Sequence, residues 1–274
     1  MDWPLSQSFQ YFSMGTVEAS ACGSVTVGAA NQKGSATVLS PSLPQDIGEL
    51  WIFGRGATTS ARMYLIDVVV NLDGQDQVLV SNLMYSHGGG NPGAYNYRLP
   101  IPIPQGSALK LKAQGTTAGS FVRVGALGRG ASQTAPSFKY IDSYGQQTSG
   151  TTRGLQVDPS GTANALGTWV QITGSTTRDI KAIILAFGEG DNAASAPNSV
   201  YLAQVAIGPV GQEQVVIPAI EFKMLASSVL PYPAVHGPFQ VSIPAGSRVS
   251  IRLGTDTGGN VTINSTDCIL YGLG

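Results

Sequence analysis

The heptapeptide GQDQVLV at Gly74–Val80 returns as GQEQVVI at Gly211–Ile217, which restricts this 274-residue chain to folds that can be laid down twice. Other pairs follow in the same order. Phe53-Gly54-Arg55-Gly56 recurs as Phe187-Gly188-Glu189-Gly190 at an offset of 134, and Tyr64-Leu65 as Tyr201-Leu202 at 137. Ile103-Pro104-Gln105-Gly106-Ser107 recurs as Ile243-Pro244-Ala245-Gly246-Ser247 at 140, and Gly128-Arg129-Gly130 as Gly272-Leu273-Gly274 at 144. Asp46-Ile47 pairs with Asp179-Ile180 at 133. The offset only grows, as it does when the later copy of a duplicated unit has gained short insertions, and these fall in Gly-, Pro-, Asn- and Ser-rich stretches where extra loop length costs little. Two large copies indicate domain duplication and not a solenoid of short repeats.

Four segments result: an N-terminal arm at 1–14, a first copy at 15–130, a linker at 131–148 and a second copy at 149–274. Strands are expected in the first copy at Ser24–Val27, Ser35–Leu39, Leu50–Phe53, Arg62–Asn71, Gln75–Val80, Arg98–Ile103, Ala108–Lys112 and Phe121–Leu127. The evidence for them is β-branched content, alternation and intervening turn residues. With no amphipathic helical window, the fold class is all-β: two tandem, duplicated β-sandwich domains of jelly-roll type. Asp73-Gly74 is a hairpin turn, and Pro104–Ser107 and Pro244–Ser247 are Pro-Xaa-Gly-Ser turns.

Charged residues make up 11% of the chain, about half the usual share, and the formal net charge is −1. Lys and Arg are nowhere concentrated, which argues against nucleic acid as a partner. A surface of Ser, Thr, Gly, Asn and Gln suits a protein packed against neighbours, so a homo-oligomer is expected. The N-terminus lacks the basic and apolar regions of a signal peptide, and no apolar run is long enough for a membrane helix, so no membrane partner is expected. Cys22 and Cys268 have no pairing pattern and no metal-ligand spacing, and buried, reduced thiols are the expectation.

Chemistry is thinly represented. His87 and His236 lie in loops after the central motif of each copy and are placed roughly equivalently; neither has an evident nucleophile or carboxylate partner. Asp67 with Asp142 would make a glycosidase pair only by arbitrary choice, and the second copy has Gln204 in place of Asp67. Gly125–Gly130 lacks the Lys-Ser/Thr of a phosphate loop, Gly254–Asn260 is a turn and not an EF-hand, and the sequons at Asn260 and Asn264 are incidental. No catalytic residue, metal or cofactor is expected. The aromatic arm residues Trp3, Phe9, Tyr11 and Phe12 are candidates for an interface, in cis or with a neighbouring subunit. The loop Ser86–Tyr97, with His87, Tyr95 and Tyr97, and the second-copy loop around Tyr232 and His236 are candidates for stacking on a sugar ring or filling a subunit pocket.

In its duplicated β-units, sparse charge, Gly/Ser/Thr-rich loops and aromatic arm, the chain resembles virion structural proteins of bacteriophages. The resemblance implies a non-enzymatic capsid decoration (cement) or tail-associated protein, with other virion proteins of a capsid or tail lattice as partners. It places the protein in the virion, assembled in the host cytoplasm. A carbohydrate- or receptor-binding module and a small double jelly-roll major capsid protein are the alternatives.

Overall fold

The computed structural model describes residues 11–14, 23–56, 62–87, 95–130, 138–150, 152–188, 199–224, 234–258 and 265–274. They form eighteen strands and no helix. The first half contains β1 (Tyr11–Met14), β2 (Gly23–Thr26), β3 (Thr37–Ser40), β4 (Ile47–Gly56), β5 (Arg62–Leu72), β6 (Gln75–His87), β7 (Tyr95–Leu99), β8 (Ala108–Gly115) and β9 (Phe121–Gly130). The second contains β10 (Ile141–Tyr144), β11 (Leu155–Val157), β12 (Val170–Thr173), β13 (Ile180–Gly188), β14 (Ser199–Ile207), β15 (Gln214–Met224), β16 (Ala234–Ile243), β17 (Val249–Thr255) and β18 (Thr266–Leu273).

Each half has a front sheet and a back sheet. In the first half the front order is β1-β9-β4-β7, with β2 also on β9, and the back order is β3-β8-β5-β6. The second half repeats this as β10-β18-β13-β16, with β11 on β18, and β12-β17-β14-β15. Adding nine to each strand number converts one pairing diagram into the other. Even the irregularities repeat. Asp67 on β5 faces two residues of β6, Ser81 and Asn82, and Gln204 on β14 faces Pro218 and Ala219 of β15. Two residues closer to the hairpin, Leu79 and Val216 are the matching extra residues of a second bulge.

The repeated turns have local causes. Asp73 and Gly74 have φ of 53° and 79° between the paired residues Leu72 and Gln75, the two-residue hairpin that an Asp-Gly step favours. In the Pro-Xaa-Gly-Ser turns the Ser N–H donates to the Pro carbonyl, at 3.3 Å in both copies. The carboxylates of Asp46 and Asp179 accept the N–H of Gln105 (2.7 Å) and Ala245 (2.8 Å), which explains why this Asp recurs with the turn.

Two sequence expectations change. Tyr11–Met14 and Ile141–Tyr144, assigned to arm and linker, are equivalent strands at the margins of the front sheets, paired to β9 and β18. At equivalent register positions the two segments share only a serine, Ser13 and Ser143, because an outer strand is held by backbone hydrogen bonds whatever its side chains. The Phe53/Phe187 match is also out by one. Phe53 pairs with Gly125 and Phe187 with Cys268, so in the framework of the β9 and β18 anchors Phe187 stands where Gly54 stands, on the opposite face from Phe53. A Cβ on Gly54 would lie 2.5 Å from the ring of Tyr85, whereas Phe187 stacks on Phe222, the counterpart of Tyr85, at 4.2 Å.

Alternation separates core from surface in β8 and β9, but β13 and β18 are buried almost throughout. Strands covered on both faces read as continuous apolar runs. Ile183, Leu185, Phe187, Cys268 and Leu270 face the second half's own core, while Ala182, Ile184, Ala186, Ile269, Tyr271 and Leu273 belong to the core cluster of the first half. No helix of the described residues is long and apolar enough to cross a membrane.

Candidate functional site

The two halves meet where the edge strands β6 and β7 leave one side of the first sandwich open. The outer face of the second half's front sheet closes that side. The hydroxyl of Tyr271 accepts the Met84 N–H (2.8 Å) and donates to the Asn82 carbonyl (2.9 Å), satisfying an edge that would otherwise be exposed. The hydroxyl of Tyr97 donates to the Met84 carbonyl at 2.6 Å, and the two rings meet edge-to-face at 5.7 Å. Burial pushes the Tyr271 phenol far above its ordinary pKa, so it stays protonated and can serve both groups.

Arg153, on the loop between β10 and β11, is fully buried at the same joint. Its Nη2 donates to Asn31 Oδ1 (3.0 Å), and Nε lies 3.5 Å from the Met63 carbonyl of β5. Asp267 anchors the loop from β18 by accepting the N–H of Arg153 (2.8 Å) and of Gly154 (3.2 Å). A Cβ on Gly154 would come within 2.7 Å of the Cys268 backbone N, which calls for glycine there, and one on Gly188 would come within 2.7 Å of the Met84 sulfur.

Where the joint reaches solvent it leaves a groove of about 800 Å³. Gln77, Ser81 and residues 101–104 of the first half line one wall, and residues 139–144 with Thr177 and Arg178 line the other. Ser81 and Ser143 hydroxyls meet across it at 2.8 Å. Both Asp67 and Asp142 border the groove, but each is committed. Lys33 Nζ lies 2.6 Å from Asp67 Oδ1, which also accepts the Asn82 N–H at 2.8 Å. Asp142 accepts Arg178 Nε (3.0 Å), Arg178 Nη2 and the Thr177 hydroxyl (2.9 Å), and the guanidinium lies 3.6 Å from the centre of the Tyr140 ring. Burial would raise the Asp142 carboxyl, but the bonds from Arg178 and Thr177 outweigh it and hold it below the usual carboxylate range. A general acid needs a raised pKa, which Asp142 does not have.

The expected site residues are dispersed. Trp3, Phe9 and Tyr232 lie outside the described residues. Tyr11 and Phe12 are on β1, opposite Arg129 and Gly128, so that part of the aromatic segment pairs with its own sheet. His87 ends β6 opposite Arg62 and Tyr95 opens β7 opposite Gly54, while their side chains lie outside the described residues. Tyr97 is corrected: it is 1% exposed, its ring points into the core, and it cannot stack on a ligand. The rough equivalence of the two histidines is corrected as well. His87 corresponds to Met224 on β15, and His236 lies on β16, the counterpart of β7. His236 is half-buried with ring centroids of Phe187 and Phe222 at 6.2 and 6.1 Å, and burial lowers its pKa below the ordinary histidine value. Burial, with Asp267 beside it, pushes the Cys268 thiol far above its ordinary pKa. Among the described residues no group of three His, Cys, Asp or Glu could hold a metal.

Sequence reasoning missed Arg153, Asp267 and Tyr271. A faint signal existed: in a chain so poor in charge, a lone Arg in a Gly/Thr loop has no solvation role to explain it.

No protein-family model matches the sequence, and no curated protein matches it. Among solved structures the chain is similar to PNGF-II, with TM-score 0.44 and 9% identity over 96% of this chain, of which it spans 65%. It is also similar to the CBM22-1–CBM22-2 tandem of Paenibacillus barcinonensis Xyn10C, with TM-score 0.28 and 9% identity over 97% of this chain and 90% of that one. A third similarity is to a structure of infectious bursal disease virus, Gx strain, with TM-score 0.25 and 12% identity over 97% of this chain and 71% of the viral one. Likeness at this level is one of general architecture and says nothing of activity.

Proposed function

We propose that the chain is a non-enzymatic virion structural protein, a capsid decoration or tail-associated subunit of a bacteriophage that binds a viral lattice. The observation that carries this reading is the joint. Two low-charge sandwiches are locked by strands buried on both faces, with polar groups paired across the joint and a polar groove beside it. Such a pair suits burial of surface against several neighbours, which is how an accessory subunit reinforces a shell. The carboxylates of the groove are held in ion pairs, which favours recognition over proton transfer. The carbohydrate-binding alternative loses Tyr97, whose ring is buried.

Immunogold labelling of particles from the source culture, with antibody raised against the purified chain, tests the assignment. Gold at regular positions on shells or tails is expected. Unlabelled particles, together with saturable binding of the chain to a cell-surface glycan array, would replace this reading with the receptor-binding one.

A further inference from the structure

The joint within the chain is asymmetric: a sheet face of the second half covers the open side of the first. Because the halves share one fold, each also owns the surface that the other uses. In the first half the equivalent face is the outer side of β4 and β9. Trp51, Phe53 and Leu127 stand there in the places of Ile184, Ala186 and Tyr271. The latter three are buried in the joint, whereas Trp51, Phe53 and Leu127 remain part-exposed. In the second half the equivalent open side is formed by the edge strands β15 and β16. Ala219 and Glu221 occupy the places of Asn82 and Met84, and both are exposed where their counterparts are buried.

We infer that the part-exposed face of the first half docks on the open β15/β16 side of a second copy of this chain, repeating between molecules the joint already made within one. Continuity with the internal joint specifies both surfaces and their orientation. Arg98 is exposed on the face, its guanidinium 4.9 Å from the Trp51 ring centre, and the open side presents Glu221 where the internal joint has Met84. Glu49, paired to Arg98 (2.8 Å) and Arg129 (3.0 Å), makes this face more polar than the apolar one used internally, as befits a contact that forms between separately folded molecules. The contact is heterologous, so each added chain leaves a free face at one end and a free side at the other. The product is a ring if the rotation closes and a filament if it does not. Covering β15 and β16 also removes the exposed edge that makes such strands prone to promiscuous pairing.

Sedimentation velocity on the full chain, from about 1 to 100 µM to span the range of transient interfaces, tests this with two surface variants, Leu127→Arg on the face and Ala219→Arg on the open side. The wild-type protein is expected to grow in mass with concentration, and each variant alone to stay monomeric with an unchanged circular-dichroism melt. An equimolar mixture of the two variants retains one good face and one good side, so it should give a twofold mass increase and nothing larger. Asn96→Arg, at an exposed position in the place of Val235, replaces Leu127→Arg should the latter fail to fold. A monomeric wild type, a variant that still assembles alone, or a mixture that stays monomeric or grows past the dimer overturns the inference. The result is separable from the virion assignment: polymer without labelled particles removes only that assignment, and labelled particles with a monomeric chain remove only the contact between copies.

Discussion

Arg153→Ala is expected to lower the unfolding free energy by about 3–5 kcal/mol, the range for losing a large buried side chain or one partner of a buried charged group. Three consequences combine. The guanidinium is fully buried, so its removal opens a hole between the halves that the rigid sheets cannot collapse to fill. Asn31 Oδ1 loses a donor at 3.0 Å, and the Met63 carbonyl loses the nearby Nε. Asp267, 1% exposed, then stays buried beside the gap. Urea unfolding measures the change. A loss below about 1 kcal/mol for Arg153→Ala would mean that Arg153 does not hold the joint.

Tyr271→Phe has the second-largest expected effect, out of proportion to the single oxygen removed. The hydroxyl serves both the Met84 N–H and the Asn82 carbonyl, and both lie where water is excluded. Leaving a buried donor or acceptor unsatisfied costs about 1–3 kcal/mol each. Tyr97→Phe is the comparison. It removes one bond to the Met84 carbonyl, so it should cost roughly half as much. Amide hydrogen exchange gives the specific readout: the Met84 amide should lose protection in Tyr271→Phe and keep it in Tyr97→Phe. Equal protection in both variants would show that the edge is closed by something other than Tyr271.

Much of the fold was legible because duplication doubled the signal. Each of the eight strand positions expected in the first copy holds or overlaps an observed strand, and the recurring Asp46/Asp179, a repeat anchor in the sequence, caps a turn in the structure. The errors have physical causes. The Phe-Gly-Xaa-Gly match paired identical letters one residue out of register, a slip that turns a side chain to the other face. The outer strands β1 and β10 are fixed by backbone bonding and share only one letter, Ser13 with Ser143. Tyr97 lies in a glycine-rich stretch that resembles a ligand loop, yet Tyr97 and Leu99 already show the alternation of a half-buried strand. The joint itself was not legible, since it depends on which face of one sandwich meets which side of the other, and periodicity does not encode that. Its trace was the unbroken apolar runs of β13 and β18, which have too few polar positions for strands with one face in water.

The measurement that bears most directly on the account is differential scanning calorimetry of the intact chain. Since Ile184, Ile269 and Tyr271 of the second half belong to the first half's core, the halves should unfold together. One transition is expected, with calorimetric and van't Hoff enthalpies in agreement. Two separable transitions, each with the enthalpy of half the chain, would contradict the shared core and with it the joint.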